Sequence, residues 1–186
     1  MSQTARLLSA GLGVFLLAIG CKREKKDATA DTGHGAVTTV EVLLVQGSDS
    51  VRGRYKDPDG PGGRPPAVDT LHPRPGLVYT YRLRVLNESG NPIEDLTAVI
   101  TQEEKNTHRF FLLPQPDSLA QITPTDSDDF GRPVGAQGTW KQGPDTLPTG
   151  TVRIVLKHYL NPNDKNFGLE RGGTDLDVSL PVQIRL

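Results

Sequence analysis

Two histidines lie among apolar residues in the second half of the chain. His108 precedes an aromatic pair, and His158 falls on the apolar face of a predicted strand over residues 151–159. If the two strands pair, both imidazoles can share a transition-metal ion, with Asp175 or Asp177 orienting them. The alternation of the last predicted strand, however, places both aspartates on its polar face, where they need not meet either histidine. A partly buried histidine that hydrogen-bonds a carbonyl or carboxylate fits the same pattern, so both interpretations stay open.

Two acidic clusters have the residue types of a calcium loop. Asp57 and Asp59 alternate before a glycine, and Asp126 and Asp128 alternate in a second cluster that also ends at a glycine. Alternate carboxylates and a turn glycine can place oxygens around one hard cation. In the first cluster, Pro61 stands where a third side-chain oxygen is needed. Aspartates are also ordinary turn residues, so the clusters predict either a structural Ca²⁺ site or two Asp-rich turns.

The single cysteine closes a short hydrophobic leader. Residues 1–20 contain a basic n-region, the apolar stretch Leu7 to Ile19 and a final glycine, which are the parts of a secretory signal peptide. The stretch Leu17-Ala18-Ile19-Gly20-Cys21 resembles a bacterial lipobox. The resemblance implies lipid transfer to the Cys21 thiol, cleavage after Gly20 and N-acylation of the new terminus with a chain such as palmitate. The apolar stretch is too short to cross about 30 Å of hydrocarbon, so we expect a cleaved signal rather than an uncleaved anchor.

The composition excludes several classes of function. The chain has 186 residues, a net charge of −1 and one cysteine. This balance gives no electrostatic footprint for nucleic acid, and attachment to a membrane must come from lipid. With the thiol used by the anchor, none remains for a disulfide, a nucleophile or a thiolate metal site. The sequence also lacks a phosphate loop, a nucleophile elbow and a zinc-protease motif, which favours a protein that is not an enzyme.

The elements that position these residues are predicted to be short strands. Residues 1–20 form the signal peptide, residues 21–36 a flexible polar tether and residues 37–186 one domain. About seven or eight half-apolar strands separated by turn signals indicate a mainly β protein, an antiparallel Ig-like β-sandwich. Asn91 and Pro92 predict the start of one short helix over about residues 92–104. The Pro- and Gly-rich stretch from Asp57 to Gly76 predicts a long loop, and Pro181 marks the last strand as an edge or bulged strand.

Five segments of the mature chain occur in an order typical of one family. They are Tyr55 to Gly60, Leu86 to Asp95, His108 to Phe111, Thr151 to His158 and Thr174 to Val178. On these segments the chain is similar to a family of short bacterial cell-envelope lipoproteins of uncharacterised function. The resemblance implies an envelope location and a lipobox followed by one Ig-like β-sandwich, but no activity. Members tend to carry another acid where this chain has Pro61, which counts against a metal in the first acidic loop.

The sequence predicts a membrane-anchored envelope lipoprotein whose domain acts as a non-catalytic binding or adaptor module. The expected partners are the membrane, through acylated Cys21, and an envelope protein such as a transporter. The long loop and the exposed sheet edge are the predicted contact surfaces. Lys22 stands where an aspartate can retain lipoproteins in an inner membrane, which favours the outer membrane. The alternatives are a metal-binding lipoprotein that uses the inward histidines and a hydrolase whose site follows no motif. No organic cofactor is expected, and a bound ion would be Ca²⁺ or a transition metal.

Overall fold

The structure, a computed structural model, describes residues 36–60, 63–144 and 149–185, and these residues are mainly β. The strands are β1 (Thr39–Gln46), β2 (Asp49–Lys56), β3 (Ala67–Val68), β4 (Val78–Asn87), β5 (Glu94–Asp95), β6 (His108–Gln115), β7 (Ala120–Pro124), β8 (Gln137–Gln142), β9 (Thr149–His158) and β10 (Gly173–Gln183). The helical elements are a π-helical turn, Val99–Glu103, and the 3₁₀ segments Asp117–Leu119 and Pro162–Glu170. None of the helices in these described ranges is long and apolar enough to cross a membrane.

The strands form two antiparallel sheets around one core. The larger sheet has the order β3-β2-β1-β4-β8-β7 with β5 added to β4, and the smaller sheet has the order β10-β9-β6. Alternation along each strand sends one set of side chains inward, where Trp140, Tyr79 and Tyr81 are the largest fully buried residues. The apolar inner faces of both sheets belong to one cluster of buried side chains. The predicted antiparallel β-sandwich is confirmed.

The helix predicted from Asn91 and Pro92 is wrong in extent. Glu94–Asp95 forms β5 against the end of β4, and the π-helical turn Val99–Glu103 begins only after it. Thr97 holds this segment to β4, since its hydroxyl oxygen accepts a hydrogen bond from the Val85 amide at 3.0 Å. Pairing with β4 therefore outweighs the capping signal at Asn91.

The Pro- and Gly-rich loop is attached to both sheets. Within it, β3 pairs with the end of β2, and the fully buried Leu71 forms a parallel bridge with Val182 of β10. The Leu71 amide donates to the Pro181 carbonyl at 2.9 Å, and the Gln183 amide donates to the Leu71 carbonyl at 2.8 Å. The last strand is an edge strand, as Pro181 predicted. The loop nevertheless covers the C-terminal part of that edge.

Candidate metal centre

His108 and His158 meet at the end of the β6–β9 ladder. They are direct partners in the antiparallel register, and residues opposite each other in such a pair point to the same face. Both side chains continue the inward-facing rows of β6 and β9, which include the buried Phe110 and Leu156. Their rings stack with centroids 4.6 Å apart and planes 5° from parallel. His108 is fully buried, and His158 is half-buried.

A register shift in β10 brings Asp175 to the same place. Thr174 pairs with Lys157 and Leu176 with Leu156, so Asp175 is an extra residue between two ladder pairs. Such a bulge re-aims a side chain away from strict alternation. The Asp175 Oδ2 atom lies 3.4 Å from Nε2 of His108, and the carboxylate side chain is only 9% exposed. The expectation that alternation keeps this aspartate on the polar face, away from the histidines, is therefore wrong.

Asp177, the second aspartate of this strand, lies where the alternation predicted. It lies on the exposed face, where Arg153 donates to its two carboxylate oxygens at 2.7 and 2.6 Å. These contacts lower the pKa of Asp177, chiefly through the hydrogen bond from Arg153. Asp177 therefore does not orient either histidine.

Glu104 approaches His108 from the opposite side of the ring. The Nδ1 atom of His108 lies 3.2 Å from the Glu104 carbonyl oxygen and 3.5 Å from its Oε2. The Thr107 hydroxyl oxygen lies 3.3 Å from the same nitrogen. The Glu104 carbonyl and the Asp175 carboxylate can each only accept, so each ring nitrogen of His108 faces an acceptor. In the tautomer with its hydrogen on Nδ1, His108 donates to Glu104 and presents the Nε2 lone pair to a metal ion beside Asp175.

The donor set fits a transition-metal ion. His108, His158 and Asp175 each offer one ligand atom within 4.8 Å of the others, and they form the one such group of three in the described ranges. Two imidazoles and a carboxylate are ligands of Zn²⁺, Cu²⁺ and Fe²⁺. Neighbouring ligands of a tetrahedral zinc ion lie about 3.3 Å apart, which the 3.4 Å between His108 and Asp175 matches. The ligand atoms of the group lie up to 4.8 Å apart, which is wider than this spacing. Because the two rings are stacked in parallel, the His158 ring must tilt for its nitrogen to reach an ion bound by His108 and Asp175.

The second acidic cluster is engaged in structural contacts. The Asp126 carboxylate accepts hydrogen bonds from the backbone amides of residues 135–137 at 2.8, 2.8 and 3.2 Å. Asp128 is buried and accepts from Nε of Arg132 at 2.8 Å and from Nζ of the fully buried Lys165 at 2.9 Å. Burial alone would raise the pKa of Asp128, but the hydrogen bonds from Lys165 and nearby amides hold it at about 2. Both carboxylates therefore stabilise the local backbone and neighbouring side chains through hydrogen bonds, and this geometry gives no support to a Ca²⁺ site.

Asp57 and Asp59, the first acidic cluster, do not belong to a group of three possible metal ligands among the described residues. Asp59 accepts a hydrogen bond from the Arg64 amide at 2.9 Å, and its carboxylate lies 3.6 Å from the Arg64 guanidinium. Asp57 lies beside Tyr55, whose pKa is raised by burial and by that carboxylate. The structure thus places these acids in local contacts, and the Ca²⁺ site stays a prediction without support from their geometry.

The sequence does not indicate a role for Glu104, because it lies at the end of the predicted helix. It places Asp175 on the wrong face of its strand, because an alternating pattern does not reveal an inserted residue. Cys21 lies outside the described residues, as do the signal peptide and the tether up to residue 35.

Comparisons with protein families, curated proteins and solved structures gave no match for this chain. The resemblance to envelope lipoproteins therefore stays a prediction from the sequence, and the geometry of the site is the guide to function.

Proposed function

We propose that this chain is a lipid-anchored protein of the bacterial cell envelope whose β-sandwich binds a transition-metal ion. The ligands are His108, His158 and Asp175. The observation that carries the proposal is the approach of the Asp175 carboxylate to Nε2 of the fully buried His108 at 3.4 Å, beside the stacked ring of His158. The domain binds the ion and does not catalyse a reaction.

The charges around His108 support a cation at this place. The carboxylates of Glu104 and Asp175 flank one imidazole, with side-chain exposures of 20% and 9%. Two carboxylates beside one imidazole create a negative potential that attracts a cation. A divalent ion between Asp175 and the two histidines would lie within that potential.

The covered part of the β10 edge favours ion binding over the acceptance of a partner's strand. Leu71 already occupies the hydrogen-bonding positions beside Val182, so strand addition is blocked there. The proposed partners are the membrane, through acylated Cys21, and an envelope transporter that exchanges the ion. A lipid anchor of this kind would hold the domain at the outer membrane.

Thermal unfolding with and without Zn²⁺ tests the metal site. The protein is the full-length chain in detergent, carrying Cys21→Ser to remove its only thiol. A free ion concentration of about a hundred times Kd stabilises the fold by about 2.7 kcal/mol, which raises Tm by roughly 5–10 °C for a domain of this size. We expect this rise in the parent and in the control His72→Ala, whose histidine is exposed in the long loop. A rise that persists in His158→Ala would contradict the site.

Metabolic labelling with an alkyne analogue of palmitate tests the anchor separately. The wild-type chain should incorporate the label and lose residues 1–20, as seen by mass spectrometry of its N-terminal peptide. Cys21→Ser should incorporate none and keep its leader, because it lacks the acceptor thiol. An unlabelled wild-type chain with an intact leader would contradict a lipid anchor without bearing on the metal site.

A further inference from the structure

The three protein ligands leave part of the ion's coordination sphere to other donors. We propose that this position is open to an external monodentate ligand and that the ion is an exchangeable cargo rather than a structural part of the fold. This inference rests on the proposed metal site formed by His108, His158 and Asp175.

Glu104 is excluded as a fourth ligand by its position around the imidazole. Its Oε2 lies 3.5 Å from Nδ1 of His108, whereas Asp175 lies 3.4 Å from Nε2. The two ring nitrogens point in widely different directions, so one ion at Nε2 cannot also be bound by a carboxylate at Nδ1. Glu104 is therefore a positioning residue, which holds the ring and its tautomer so that Nε2 faces the ion.

The number of protein ligands distinguishes a structural zinc site from one that binds a further molecule. Structural zinc sites are closed by four protein ligands, whereas sites that must bind another molecule use three and leave a position for water or that molecule. The group identified in the described part of the chain offers three ligand atoms. An ion held by them completes its coordination with water or with a donor from a partner.

The site lies where such a donor can reach it. The histidines stand at the end of the β6–β9 ladder, and Asp175 belongs to β10, the edge strand of the smaller sheet. His108 is fully buried and the Oδ2 atom of Asp175 is buried as well, whereas His158 is half-buried. The ion would therefore be held from the protein side by His108 and Asp175, and an external donor would reach it past His158.

The fold does not depend on the ion. Apolar side chains from both sheets fill the space between them in one cluster, so removal of the ion leaves the core intact, unlike in small domains that fold only with zinc. Without the ion, the rings of His108 and His158 stack at 4.6 Å, and binding requires His158 to tilt out of that stack. Release of the ion restores the stacked contact, which favours the metal-free state and so lowers the affinity for the ion.

Cobalt spectroscopy on the full-length Cys21→Ser chain in detergent tests the open position. Co²⁺ reports its own ligands through its visible absorption bands, and azide and imidazole serve as monodentate probes. We expect equimolar Co²⁺ binding, a saturable change of the bands with each probe, and removal of the ion by excess chelator within minutes without loss of the far-ultraviolet circular dichroism of the folded domain. His72→Ala should behave like the parent.

The possible failures of this experiment are distinguishable. If Co²⁺ binds but its bands do not respond to azide or imidazole, or if the chelator unfolds the domain, the open position is overturned while the metal site stands. The predicted tether over residues 21–36 contains one histidine, His34. If the response appears only in His34→Ala, this histidine competes with the probes for the position, which also overturns the inference. If no Co²⁺ binds, the proposed function itself fails, and the inference with it.

Discussion

His108 and His158 are direct cross-strand partners, and their imidazole rings stack with planes 5° from parallel. The pair ends an otherwise apolar inner face, where a polar ring is stable only if its nitrogens have partners. Glu104 and Asp175 contact the two nitrogens of His108 from opposite sides. The site is thus held by three strands and by the residue that follows the π-helical turn.

Removal of the Asp175 carboxylate charge should weaken metal binding. Asp175→Asn keeps the shape of the side chain but loses the anionic ligand, so we expect Kd for Zn²⁺ to rise by at least about tenfold, the scale for disturbing a metal site. Isothermal titration calorimetry measures the change. The matched control is Asp177→Asn, two residues along the same strand, where the carboxylate pairs with Arg153 on the surface. Equal Kd values in the two variants would contradict the assignment of Asp175.

Removal of the Glu104 side chain should weaken metal binding without removing a ligand. In Glu104→Ala, His108 keeps the backbone carbonyl at Nδ1 but loses the carboxylate, so we expect Kd to rise by about tenfold or somewhat more. Glu104→Gln should recover part of the affinity, because its amide oxygen can still accept from Nδ1–H. The exposed neighbour Glu103 provides the control, Glu103→Ala.

A spectroscopic readout separates positioning by Glu104 from a purely structural effect. Nitrogen-15 spectra of the metal-free protein should show His108 with its hydrogen on Nδ1, and Glu104→Ala should increase the tautomer with hydrogen on Nε2. A variant that lowers Tm without changing either the tautomer or Kd would show that Glu104 acts only on stability.

The buried ion pair between Asp128 and Lys165 should be important for stability. Both side chains are 0% exposed and lie 2.9 Å apart, so Asp128→Asn leaves a buried ammonium without its counter-ion. We expect a loss of about 3–5 kcal/mol in the free energy of unfolding, measured with urea. Asp129→Asn removes a neighbouring carboxylate that pairs with Lys105 on the surface, and should cost no more than about 1 kcal/mol. Similar losses in both variants would contradict the buried pair.

The same ion pair predicts a loss of stability in acid. The pKa of Asp128 is about 2 in the folded protein, below the value of about 3.9 for an unperturbed aspartate. A depressed folded pKa contributes stability that is present above about pH 4 and is lost as the pH falls toward 2. Urea midpoints over this range should fall more steeply in the parent than in Asp128→Asn. Carboxyl NMR of Asp128 in the parent tests the same point, and titration near pH 4 would contradict it.

The alternation of apolar and polar residues was sufficient to predict the main strands and the inward direction of His158. It failed at Asp175, because the extra residue between Thr174 and Leu176 appears only when β10 is paired with β9. A bulge is a property of two strands, and a single strand's pattern does not contain it.

Other parts of the site and fold depended on long-range contacts. Glu104 directly follows the π-helical turn Val99–Glu103. This turn begins further along the chain than the capping signal at Asn91 predicted, because β5 pairs with β4 before it. Leu71 lies in a stretch whose Pro and Gly content predicted a long loop, and its side chain is buried against β10. Local composition indicates where a loop occurs but not which of its side chains the core accepts.

The most direct test of the metal site is X-ray absorption at the zinc edge on the full-length chain loaded with one equivalent of Zn²⁺. The site predicts a first shell of nitrogen and oxygen at about 2.0–2.2 Å, with the outer-shell scattering of two imidazoles. In His158→Ala the signal should fall to one imidazole or the ion should be lost, whereas His72→Ala should leave it unchanged. A first shell of oxygen alone, as the Asp57/Asp59 or Asp126/Asp128 clusters would give, would contradict binding by His108, His158 and Asp175.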